Sequence, residues 1–348
     1  RAAANELDQA AIHGDTAAEC GQAYGELMAP EINVSLPLYV QFSGISTNDL
    51  DAAWTEQSAL MNETTPEVLD EIEAIATGAG IDPQTVHRAH MVSVLTANQN
   101  ASMAAWGDAV DSNTVPSFWG YPSAVQTYTN NDALANFEFS NLCVVYYIGR
   151  QGFPQAFVAP AGLAFGHTGV NFAGISIAET YAAATPAGNL SAGAAMRQML
   201  YDANSMRSAF DMMAAMTPTT LNTYIINDGR NEMRGVKALG QGGAGLGYVL
   251  ANSPDDPYGS NVREELVYSV QPGDEAGAWA AIGTGALTAT QITSFASDLG
   301  NTGTNSYNVV TNGTAFTISV QTATTGGNAY EAPWSAAMDL QSALPKTQ

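Results

Sequence analysis

The chain reads as an α+β protein, on three observations. Apolar residues recur at helical spacing over 66–79, 192–201 and 206–216. An unbroken apolar run over 142–148 stops at Gly149-Arg150-Gln151-Gly152, the pattern of a buried strand and its turn. Near the C-terminus, two β-branched and aromatic runs flank Asn312-Gly313, a strong short-range hairpin signal. The 348 residues suffice for a substantial core. They are read as one structural domain, with 1–99 a helical segment packed on a core of 100–348.

Composition narrows the function classes. A hydrophobic share of 46% excludes wholesale disorder. Charged residues are 12%, about half the usual share, and 33 acids against 10 bases give −23. Such a surface repels nucleic acid and anionic lipid, because little positive charge is present to replace counterions. No apolar run approaches the ~18 residues that span a bilayer. The chain opens at Arg1 with neither Met nor a signal-type apolar stretch, as a processed mature protein would. Low charge with Thr, Ser, Asn and Gly in the loops suits an extracellular surface. Sequons at Asn33, Asn62, Asn100, Asn189 and Asn312 are glycosylation candidates. A chain this rich in Asn, Ser and Thr produces about that many by chance, so they permit secretion without proving it. Cys20 and Cys143 could form one bridge or stay two buried thiols, and the second is preferred.

Taken in order, residues 1–30 read as helix, with Asp15-Thr16 as a cap and Pro30 as the stop. A clearer helix starts with Thr65 as cap and Pro66 at its first position. Val68, Leu69, Ile72, Ile75 and Ala76 form its apolar stripe, and Gly78-Ala79-Gly80 ends it. His87 and His90 could hold a metal, but with no third ligand evident they read as one helix face. A strand follows over 102–106, then an elaborated polar and aromatic loop over 110–139. Beyond the 142–148 strand, Phe157-Val158 and Leu163-Ala164-Phe165 continue the sheet toward Gly169–Ser176. Met196, Met199, Met213 and Met216 lie on helix faces as core filler. Thr223–Gly229 reads as strand and turn through Asn227-Asp228-Gly229. The literal GxGxxG at 240–245 opens no helix and is rejected as a dinucleotide site. Asp255-Asp256 and Glu264-Glu265 could bind calcium, although acid clusters are expected with 33 carboxylates. A short helix over 290–299 precedes the final hairpin, where Phe316, Ile318 and Val320 share one face.

The stretch Asn100-Ala101-Ser102-Met103-Ala104-Ala105-Trp106-Gly107-Asp108-Ala109 resembles the start of the catalytic half in N-terminal-nucleophile hydrolases of the penicillin acyltransferase type (acyl-CoA:6-aminopenicillanic acid acyltransferase). The acidic helix ending Ala76-Thr77-Gly78-Ala79-Gly80 is similar to that family too. So are Gly169-Val170-Asn171-Phe172-Ala173-Gly174, the paired helices around Gly193, Arg197 and Leu200, and the terminal helix and hairpin. The resemblance implies a four-layer αββα sandwich. It also implies a nucleophile at Asn100 and an oxyanion-type role for Asn171.

Asn100 departs from that pattern. The family places Cys there, whose thiol attacks while the α-amine freed by self-cleavage serves as base, and an amide nitrogen has no lone pair to offer. Ser102 lies two positions on, facing the same side of a strand, and is the alternative nucleophile. The family's Arg-Asn-x-Asp segment is missing as well, since no Arg or Lys lies between Arg88 and Arg150. The preferred expectation is therefore a catalytically silent, secreted structural or binding subunit, suited to a surface layer or filament. Its expected partners are further copies or other extracellular proteins, with no cofactor and no metal beyond the calcium option. The rivals are an active amide hydrolase or acyltransferase using Ser102, and a module binding an acyl or peptide ligand in the old cleft, lined by aromatics from 118 to 147.

Overall fold

The computed structural model describes residues 8–96, 98–111, 125–128, 141–166, 168–182, 188–216, 223–231, 234–240, 246–249, 264–269, 275–288, 291, 307–313, 316–322 and 338–339. They form an α+β fold. Strand β1 (Asp8–Gly14) runs parallel to β4 (Leu142–Gly149), pairing Asp8 with Cys143 and Gly14 with Gly149. Antiparallel pairing then continues through β5 (Gln155–Pro160), β6 (Thr168–Asn171), β7 (Ile175–Ala182), β8 (Thr223–Asp228), β9 (Arg234–Gly240) and β10 (Leu246–Val249). This is the first sheet.

A second sheet is built from β2 (Asn98–Ala105), β3 (Val125–Tyr128), β12 (Tyr307–Asn312), β13 (Thr317–Thr322) and β14 (Met338–Asp339). Strand β2 links the sheets. Its first residues pair with β7, Asn100 and Ala101 pair with β3, and Ser102–Ala105 pair with β11 (Leu266–Ser269). The sheets stack face to face, with Val144, Tyr146, Val158 and Val170 against Val309, Phe316, Ile318 and Val320.

The opposite face of the first sheet carries the helices. These are α1 (Ala17–Leu27), α2 (Ala29–Ser43), α3 (Thr47–Thr64), α4 (Pro66–Ala79), α5 (Pro83–Leu95), α6 (Ala192–Asp202) and α7 (Met206–Met216). Their apolar stripes share one core with Val145, Tyr147, Phe157, Ile177 and Ile226 of the sheet. Helix, sheet and sheet thus form three consecutive layers, as an αββα sandwich requires. Helix α8 (Glu275–Ile282) lies further along the chain, and the expected helix over 290–299 falls outside the described residues except at 291.

Several local expectations stand and others are corrected. Helix α4 has its Pro in the first turn and Gly80 in the left-handed conformation as its cap. The methionines are core: Met196, Met199 and Met213 are at most 2% exposed. Residues 8–14, however, are a strand, because Ala10 and Ile12 point into the core while their neighbours face out. The helix begins only after Thr16, which forms a reciprocal capping box with Glu19. Pro30 opens α2 instead of ending α1. The final hairpin has a wider loop than Asn312-Gly313 alone would make, since Asn312 pairs with Thr317. Phe316 turns there with φ 51° to pack on Tyr146 and Phe172.

Helices α1 and α4 meet backbone to backbone. A Cβ on Gly78 would collide with the Gln22 carbonyl, and one on Gly25 with the Ile75 carbonyl. Replacing a helical Gly by Ala ordinarily stabilises by about 0.8–1 kcal/mol, but forced overpacking costs about 1–3 kcal/mol. Here the obstacle is backbone that cannot rotate away, so the steric cost should win. Gly78→Ala is expected to lower the denaturant midpoint, with a loss of about 1–2 kcal/mol; an unchanged or raised midpoint would show that the helices can separate freely.

Candidate functional site

The place to look for chemistry is β2, where the resemblance puts the nucleophile. Ser102 is its sole hydroxyl and is 0% exposed. Alternation puts Ser102 on the same face as Ala104 and Trp106, which pack with Ile225 and Val267. Ser269, directly opposite Ser102 on β11, shares that face and is also buried. Across the layer, Ala104 and Trp106 press on Gly235 of β9: a Cβ there would come within 3.0 Å of Ala104 Cβ and 3.2 Å of Trp106 Cζ3. Gly235 stands opposite Asn227, which stands opposite Ser176. The Asn227 Nδ2 donates to Ser176 Oγ at 3.3 Å, and its Oδ1 is buried with no hydrogen-bond partner. Two buried polar pairs, Ser102 with Ser269 and Ser176 with Asn227, therefore make up the polar seam on the facing sides of the two sheets.

Asn171 is not part of that seam. Its neighbour Val170 faces the second sheet, so Asn171 faces the helices. There its Nδ2 donates to Leu200 O at 3.1 Å and Ala203 O at 2.8 Å, while its Oδ1 accepts from Ile175 N at 3.0 Å. Both donors hold the end of α6 to the β6–β7 turn. An oxyanion hole needs a donor aimed at the reacting carbonyl, and the Asn171 side chain is separated from Ser102 by the first sheet. The structure does not bring the Asn171 side chain and Ser102 together. Asn100 pairs with Tyr128 across β2 and β3.

The remaining reactive groups serve the core. Both cysteines are free. Burial pushes each thiol up to about 12, so both stay protonated at neutral pH. Cys143 Sγ donates to Ala159 O at 3.3 Å and lies 3.4 Å from the Tyr24 hydroxyl. The two histidines do different jobs. His87 stacks on Trp54 with ring centroids 4.0 Å apart and sits 3.0 Å from Glu73, whereas His90 is buried in the core. Among the described residues no group of three or more His, Cys, Asp or Glu could hold a metal. Of the acid clusters, Asp255-Asp256 lies outside the described residues, and the Glu265 carboxylate accepts from Asp108 N.

One buried charged cluster was illegible beforehand. Arg197 of α6 donates to Glu71 of α4 at 2.9 Å, with side chains 1% and 0% exposed. The guanidinium also lies over the rings of Tyr147, Phe157 and Tyr201, at 4.6, 4.3 and 4.6 Å. Tyr201 donates to Glu71 at 2.8 Å. Burial pushes the Glu71 carboxyl up, against the downward pull of Arg197 and the tyrosine hydroxyls. The sequence places Glu71 inside the α4 stripe, between Val68 and Ile72, and that interruption was the one available hint.

The sequons differ in availability. Asn62 is exposed in the last turn of α3, while the Asn33 side chain is tied to Ala29 O and Ala79 O, each at 2.8 Å. Asn189 is half-buried, and the Asn100 and Asn312 side chains lie outside the described set. The GxGxxG loop is also outside it, but it joins antiparallel β9 to β10, not a strand to a helix. Among the described residues no helix is long and apolar enough to cross a membrane.

No protein-family model matches the chain, and no curated protein sequence matches it. Among solved structures, it is similar to the Caenorhabditis elegans N-acylethanolamine-hydrolyzing acid amidase (NAAA) ortholog. That match has a TM-score of 0.45 at 10% identity and covers 62% of this chain and 93% of that chain. A likeness of this extent fixes neither an activity nor a residue role.

Two measurements check this description. Neither cysteine should react with an aromatic disulfide reagent in the native protein, and both should react on unfolding; fast native labelling of either would contradict its burial. Glu71→Gln should cost about 3–5 kcal/mol of unfolding free energy by leaving Arg197 unpaired. Adding Arg197→Met should recover part of that loss, and strictly additive costs would mean that the pair is not coupled.

Proposed function

We propose that this protein is a catalytically silent αββα scaffold, acting as a secreted structural or binding subunit. The observation that carries the proposal is the disposition of β2. Its family-equivalent nucleophile position holds Asn100, its one hydroxyl, Ser102, is wholly buried, and the Asn171 amide is spent on the other side of the sheet. Among the described residues, burial holds the Cys20 and Cys143 thiols protonated, and His90 is locked in core hydrogen bonds. An extracellular setting is supported by the low charge, the acidic surface and the exposed sequon at Asn62. The low charge also favours assembly with further copies or with other extracellular proteins.

A second reading is favoured by the polar seam. A serine facing Ser269 and the Ser176–Asn227 pair between two sheets resembles a site awaiting exposure. If the peptide bond before Ser102 were cut, the new amine and hydroxyl would stand together as base and nucleophile, and an amide hydrolase would be restored.

Peptide mapping of protein from its natural source separates the two. The silent scaffold predicts an uncut segment over 98–105, with hexose-sized mass increments on the peptide holding Asn62. A new amino terminus at Ser102, with both fragments retained, would overturn it in favour of the hydrolase.

A further inference from the structure

The link between β5 and β6 runs through the core without regular structure. Ala161, Leu163, Ala164 and Phe165 are all at most 5% exposed. Buried backbone must have its polar groups satisfied, and here side chains from four helices supply the partners. Ser35 of α2 donates to Ala161 O at 3.4 Å. The Tyr24 hydroxyl of α1 accepts from Gly162 N at 2.9 Å. Ala164 is held at both ends, its N–H donating to His90 Nε2 of α5 and its carbonyl accepting from Arg197 Nε of α6, each at 2.9 Å.

His90 can fill that role in one state. Its Nδ1 is 2.8 Å from Val86 O, and a carbonyl cannot donate, so the ring proton sits on Nδ1. Nε2 must then be the bare acceptor that Ala164 N–H requires. A second proton on Nε2 would set donor against donor in a fully buried contact.

We infer that His90 is an acid-sensitive latch: protonation at Nε2 removes the acceptor for Ala164 N–H and releases the 161–165 segment from the helical layer. This goes beyond the proposed scaffold role and does not depend on it. The surroundings support the latch. Burial lowers His90 from 6.5 to about 4; the Val86 carbonyl opposes that shift and His87, one turn earlier, adds to it. Phe165 offers an edge-to-face ring at 4.9 Å, and Arg197 holds the carbonyl of the same residue, Ala164. Because the folded value lies below the free one, the stabilisation is complete above about pH 6.5 and is lost as pH falls through about 4. Glu71, which holds Arg197, has its carboxyl raised by burial, so its linkage runs in the opposite direction and cannot produce this loss.

Amide hydrogen exchange, corrected for intrinsic rates, tests the latch on the full chain. Between about pH 7 and pH 3, protection over 161–165 should fall roughly 200-fold in the wild type. In His90→Gln, whose side-chain carbonyl accepts at every pH, it should stay nearly flat. Equal losses in the two proteins, or full protection of the wild type at low pH, would overturn the latch. Should His90→Gln fail to fold, the wild-type imidazole can be followed by NMR. A midpoint near 4 that coincides with the loss of protection supports the latch, and a midpoint of 6 or above refutes it.

Discussion

The Glu71–Arg197 pair ties α4 to α6 on the helical side of the first sheet. Two charges buried at 0% and 1% exposure are tolerated only with strong compensation, and the compensation here comes from separate parts of the chain. Glu71 comes from α4 and Arg197 and Tyr201 from α6, while Tyr147 and Phe157 come from adjacent strands. A guanidinium stacked among three rings cannot slide without losing all of them. The pair therefore fixes where α4 and α6 stand relative to the sheet. Arg197 then extends that order to the 161–165 segment through the Ala164 carbonyl.

The same need for satisfied partners occupies many other polar groups. Tyr24, His90, Ser35 and Arg197 each satisfy the backbone of one buried, irregular segment. Asn171 does the same for the end of α6, and Asp228 for the start of α7 through Met206 N. These side chains let α-helices and sheet meet without orphaned peptides. Ser176 and Asn227 lie on the opposite face of the first sheet, where the Asn227 Oδ1 is buried with no hydrogen-bond partner.

Much of the fold was legible. The α4 helix announces both of its ends, and β4 and β8 are apolar runs with clear turns. The C-terminal hairpin was legible in its strands but not in its loop, because Phe316 follows the packing of Tyr146 and Phe172 and not the local Asn-Gly preference. Residues 8–14 misled for a related reason. Asp-Gln-Ala-Ala-Ile-His has ordinary helical composition, and only the parallel partner β4 makes it a strand. Residues 163–165 look like a strand because they are apolar, yet the Leu163 N–H turns back to Pro160 O and both backbone groups of Ala164 bond to helix side chains. Of the candidate site residues, Ser102 was singled out because it lies two positions beyond Asn100 in the stretch that carries the resemblance. Strand register sets Ser269 opposite Ser102, and Asn227 opposite Ser176, across segments remote in sequence.

The sequence by itself determined the class of the fold and its acidic, weakly charged composition, because periodicity and residue chemistry are local properties. The tertiary structure alone decided which face each polar side chain serves. Ser102 and Asn171 could belong to one site on paper, but strand alternation and the order of pairing send one between the sheets and the other under the helices. A shift of one residue reverses the face of every side chain on a strand, and register is set by contacts far apart in the chain.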